Sequence, residues 1–122
     1  MPYGFSDDEW NAGKTEMAHI LRHKATSRGM ITYSELAGAL KTIEIGYKDP
    51  AMDAMLGQIT TDEALKGHGM LSVIVVHKYG DMEPGRGFYE CAESLGYDVS
   101  NRLAFWVAEL HKVHAYWSNQ PT

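Results

Sequence analysis

Apolar residues recur at helical spacing in four separate stretches of this chain. Trp10, Met17, Ile20 and Leu21 predict a first helix over about 7–27. Ser6 with Glu9 forms a capping box at its start, Asp7 and Asp8 suit the positive helix end, and Gly29 ends it. Met30-Ile31 is a short extended piece. Thr32 with Glu35 gives a second capping box and a short helix through Leu40, burying Leu36 and Leu40. Residues 41–48 have no period and read as a loop. Asp49-Pro50 then starts a third helix, carrying Ala51, Met52, Met55, Leu56 and Ile59, with Thr60 to Glu63 restarting it for one turn before Gly67 and Gly69 break it.

A different pattern follows. Leu71 to Val76 is an unbroken apolar run, with Ser72 inside it, and predicts a fully buried strand over 70–77. It ends at His77 and Lys78 and passes into a loop with Gly80, Gly85, Gly87, Pro84 and Arg86. A helix over about 87–95, stopped by Gly96, comes next. Ser100 caps a last helix rich in large side chains: Leu103, Phe105, Trp106, Val107, Leu110, Val113, Tyr116 and Trp117. The resulting fold class is mainly helical α+β, with a small two- or three-stranded sheet and a long C-terminal helix. At 122 residues this is one domain over 1–122.

Composition narrows the setting. No apolar stretch approaches the roughly 18 residues that span a bilayer, and the N-terminus lacks the basic and apolar regions of a signal peptide. A single cysteine, Cys91, rules out an internal disulfide. The expectation is a cytoplasmic protein without membrane partners or cofactors. The net charge of −5 opposes non-specific grip on nucleic acid. The charge is uneven, however: Lys14, Arg22, His23, Lys24 and Arg28 cluster early, against only Glu16.

The order helix, short strand, two helices, longer strand and loop is that of a winged helix-turn-helix. Ile31-Thr32-Tyr33-Ser34-Glu35-Leu36-Ala37 resembles the TYGELA opening in the DNA-binding half of alkylguanine-DNA alkyltransferases and alkyltransferase-like proteins. In that family a strand ending in Pro-Cys-His-Arg follows the recognition helix and leads to a glycine-bearing wing. Here the strand ends Val75-Val76-His77-Lys78 and leads to Gly80-Asp81 and Pro84-Gly85-Arg86-Gly87. The likeness covers about half the chain and implies a fold. No cysteine occupies the strand, so the family's alkyl-acceptor chemistry is absent. The third helix bears Asp53, Asp62 and Glu63 against Lys66, a poor complement to phosphate.

The candidate chemistry centres on the 77–88 loop. Backbone N–H groups near Gly85, Arg86 and Gly87 at a helix start favour an anion; Arg86 adds a planar fork and Lys78 a point charge. With His77 at the strand end and Lys14, Arg22, Lys24 and Arg28 on the first helix, they make up the expected ligand-binding set. Tyr79, Phe88 and Tyr89 are candidates for stacking on bases. The competing reading is a plain strand-to-helix turn whose Arg86 pairs with Asp81, Glu83 or Glu90. His77 with Glu83 and Glu90 would form the acid–base set of a small metal-dependent nuclease or hydrolase, but no established metal-ligand motif appears. His111 and His114 share a helix face with His68 or Glu109 as further ligands, a spacing equally common on helix surfaces.

Two partner classes follow. One is DNA or RNA, bound through the 77–88 loop and the first-helix basic residues. The other is a protein partner or second copy, bound by an acidic interaction module of antitoxin, immunity or phage-adaptor type through the aromatic C-terminal helix.

Overall fold

The computed structural model describes residues 2–78 and 83–120. Tyr79, Gly80 and Asp81, named above, lie outside the described residues. Five helices are arranged around a two-stranded sheet: α1 Asp7–Thr26, β1 Ile31–Thr32, α2 Tyr33–Ala39, α3 Pro50–Leu65, β2 Val75–Val76, α4 Arg86–Ser94 and α5 Arg102–Ser118. The predicted mainly helical α+β class is what the chain adopts, with two parallel strands pairing Ile31 with Val75 and Thr32 with Val76.

Local sequence signals set most boundaries. Ser6–Glu9 and Thr32–Glu35 close as reciprocal capping boxes, each with both bonds formed, and Asp49 accepts the Ala51 N–H ahead of Pro50. α3 runs to Leu65 without the predicted restart. Gly67 and Gly69, both at positive φ, then turn the chain. The end of α1 is made by Arg28, not Gly29: Arg28 takes φ 56° and Gly29 donates back to the Lys24 carbonyl. α5 is capped by the Asn101 carboxamide, which accepts the Ala104 N–H; Ser100 instead donates its N–H to Asp98.

The largest correction concerns the apolar run. It is fully buried, as its composition requires, but only Val75–Val76 is strand; Leu71–Ile74 is a 3-10 turn. Side chains satisfy its backbone where a sheet would otherwise do so. Glu109 accepts the Met70 N–H at 2.8 Å, the Thr60 hydroxyl accepts from Ser72, and the Trp106 indole N–H donates to the Val73 carbonyl at 3.1 Å. Met17, Leu21, Leu36, Met52, Met55 and Met70 pack around this segment, so it forms the centre of the core. Gly69 is needed at its entrance, because a Cβ there would sit 2.8 Å from Val113 and 3.3 Å from the Glu109 carboxylate.

A buried charged knot ties α1, α3 and α5. Glu63 is 1% exposed and accepts from Arg22 Nε at 3.1 Å, from Arg22 Nη2, and from His68 Nδ1 at 2.6 Å. His68 stacks on Tyr116 with ring centroids 4.3 Å apart, and the Arg22 guanidinium lies over Trp117. Burial by itself would raise the Glu63 carboxyl, but the bonds from Arg22 and His68 and their charges outweigh it and hold the group below the usual carboxylate range. A depressed folded-state value means stability that is present above the unfolded carboxylate's pKa and is lost as pH falls through the lower folded value. Acid melts followed by circular dichroism should therefore show a steep low-pH limb that flattens in Glu63→Gln. At neutral pH, Arg22→Met, which strands the carboxylate, should cost on the order of 3 kcal/mol.

Candidate functional site

The register of the two strands decides what surrounds the end of the apolar run. With Thr32 opposite Val76, the next residues, Tyr33 and His77, come together, their rings 5.0 Å apart and tilted. One step further, Ser34 and Lys78 line a cavity of about 580 Å³ with His77, Tyr47 and Lys48. That volume lies in the range of small-ligand sites, about 300–1,000 Å³. Glu35 feels the charges of both Lys24 and Lys78, although its Thr32 cap bonds are the main reason its carboxyl is held low.

Other parts of the expected set are engaged elsewhere. Arg86 Nε donates to Glu90 at 2.9 Å, one turn along α4; both side chains are mostly exposed. The Gly85 N–H donates to the Tyr33 hydroxyl at 2.8 Å, so this helix-start amide already has an internal partner. Gly87 packs on Asp53: a Cβ there would meet the carboxylate at 3.3–3.5 Å. Lys14 pairs with Asp62 at 3.0 Å and Arg22 with Glu63; both line a different cleft, of about 370 Å³, between α1 and α3. Arg28 sits exposed in the turn after α1. His77 and Lys78 therefore share one cavity, while Lys14 and Arg22 line the other cleft and Gly85, Arg86 and Gly87 make the contacts just described. Tyr47, Lys48 and Ser34 were not picked out from the sequence. The first two lie in a loop without periodicity, and the third is hidden inside a capping motif.

The acid–base set does not assemble. His77 meets Glu83 through backbone only, its N–H donating to the Glu83 carbonyl, and the Glu90 carboxylate is taken by Arg86. His77 Nε2 instead lies against Gly85, beside the Tyr33 hydroxyl. Burial pushes the Tyr33 phenol up, with Asp53 and Tyr89 adding to it and the Gly85 N–H opposing. Burial and then Glu90 raise the Asp53 carboxyl, and His77 pulls it back. Tyr89 and Phe88 are buried; Arg102 covers the Tyr89 ring at 4.9 Å, leaving neither free to stack on a base. His114 is buried and bonds the Gly29 carbonyl, and Glu109 holds Met70, so the histidine pair on α5 is not a ligand set. Among the described residues no group of three His, Cys, Asp or Glu is placed to hold a metal ion.

Phe105, Trp106 and Trp117 of α5 pack on the core, and the exposed large apolar residues of that helix are Leu103 and Val107. Among the described residues no helix is long and apolar enough to cross a membrane. No family model, curated protein or solved structure matches the chain.

Two substitutions separate structural from exposed positions in this loop. Gly85→Ala would place a Cβ 2.9 Å from the Tyr33 hydroxyl and 3.3 Å from His77 Nε2, and should cost about 1–3 kcal/mol in a denaturant melt. Arg86→Ala removes one exposed i,i+4 pair and should change the same melt by less than about 0.5 kcal/mol.

Proposed function

We propose that this chain is a small winged-helix-like protein of the cytoplasm that binds nucleic acid, or another phosphate-bearing ligand, where β2 ends. One observation carries the reading: Lys48, Lys78 and His77, from two distant segments, line one cavity together with Tyr47 and Ser34. Two ammonium groups around one space attract phosphate by charge, and the imidazole and the serine hydroxyl add hydrogen-bonding groups. The interface differs from the one expected for the 77–88 loop. The Arg86 fork and the Gly85 amide are engaged, and Lys48 takes over as the second cation.

Fluorescence anisotropy with labelled oligonucleotides across a salt series tests this. Lys48→Ala and Lys78→Ala should each weaken binding and lower the salt slope by roughly 0.7–0.9 per lost phosphate contact. Arg86→Ala should match the parent. Equal affinity and slope in the Lys48→Ala/Lys78→Ala double variant would remove the proposal.

A second reading, an acidic protein-interaction module, draws on Leu103 and Val107, exposed one turn apart on α5. On that reading, Leu103→Lys/Val107→Lys abolishes co-elution with a protein partner, or self-association, on size exclusion. An unchanged elution profile counts against it.

A further inference from the structure

We infer that the nucleic acid taken at the β2 end is single-stranded, with a base stacked on Tyr47. This rests on the preceding reading and adds a substrate class to it. Two features of the surface point the same way.

The first is what surrounds the helix that a duplex would need. In a helix-turn-helix the second helix of the pair enters the major groove between two rows of phosphates. Here that helix is α3, and its exposed charges are Asp53 and Asp62, with no basic residue before the C-cap Lys66. α4 sets Glu90 alongside, so the groove between α3 and α4 is lined by Asp53, Asp62 and Glu90, with Lys14 already bound to Asp62. Placed in a duplex groove, these carboxylates would meet phosphate with like charge. Burial is the main reason the Asp53 carboxyl is raised, and the neighbouring Glu90 charge adds to it.

The second is Tyr47. It is 51% exposed, while Tyr33 and Tyr89 are buried. It lines the cavity with Lys78 and His77, and Lys48 Nζ lies over its ring, 5.5 Å from the centroid, so a base would stack on the face away from that ammonium or displace it. An exposed aromatic face next to cations is the arrangement that binds single strands. Every base offers a face to stack, and the phosphates follow the positive side chains. In a duplex the bases are already stacked on one another, leaving Tyr47 nothing to take.

The test uses the whole chain with three fluorescein-labelled probes of one mixed sequence, about 12 nucleotides long: single-stranded DNA, single-stranded RNA and duplex DNA. Both single strands should bind at least about tenfold tighter than the duplex. Tyr47→Ala should weaken single-strand binding by about five- to a hundredfold, the range expected for losing one stacked base. Tyr47→Phe should restore it, and duplex binding should not respond to either change. Tyr47 lies in an exposed loop, and unchanged far-UV circular dichroism confirms that the variants are folded. Duplex binding as tight as single-strand binding, or a Tyr47→Ala variant that binds like the parent, overturns the inference. If Lys48→Ala still weakens every probe in that case, the phosphate-binding reading survives alone. Absence of binding by the parent to all three probes overturns this inference and the nucleic-acid reading with it.

Discussion

Two rungs of parallel pairing, Ile31 with Val75 and Thr32 with Val76, determine what the chain presents at its surface. A parallel register brings the residues after each strand to the same end. The start of α2 therefore meets the end of the apolar run, Tyr33 meets His77, and Ser34 shares a cavity with Lys78. Tyr33 then does a second job, accepting the Gly85 N–H and holding the beginning of α4 against the strand end. Sliding the register by one residue would turn the partners to opposite faces and separate all of these groups. A short sheet thus carries a long-range constraint, because the rest of the molecule packs around the segment that leads into it.

That central segment shows how a buried chain can manage without a full sheet. A backbone passing through an apolar core must place its N–H and C=O groups somewhere. Here they go to Thr60 from α3 and to Glu109 and Trp106 from α5, so the helices act as hydrogen-bond partners as well as apolar walls. The Arg22–Glu63–His68 knot applies the same rule to charge. A carboxylate with almost no exposure is held by a guanidinium and an imidazole that are themselves packed on Trp117 and Tyr116. Breaking one partner leaves the others stranded, which is why such positions weigh heavily on stability.

Features governed by neighbours in sequence were legible without coordinates. Both capping boxes, the Asp49-Pro50 start, the glycine stops after α3 and α4 and the burial of residues 71–76 all follow from local chemistry. The strand length was not legible: an apolar run reports burial, and whether its backbone bonds go to a sheet or to side chains depends on Glu109 and Trp106, more than 30 positions away. The site was legible in part for the same reason. His77 and Lys78 stood out as polar residues ending a buried run. Tyr47 and Lys48 carry no such mark and join them only through topology. For Arg86 the sequence offered both an open fork and a pair with Asp81, Glu83 or Glu90, and the helical start at Arg86 selects Glu90, one turn on.

The dependence of residues 70–76 on α5 reaches into the order in which the molecule is made. A chain emerging from its N-terminus exposes this apolar stretch well before Trp106, Glu109 and Val113 have followed it out. Until then the Met70 N–H and Val73 carbonyl lack their final partners, and an unbroken apolar run lies uncovered. Closure of the core is thereby tied to a helix more than 30 positions further along the chain.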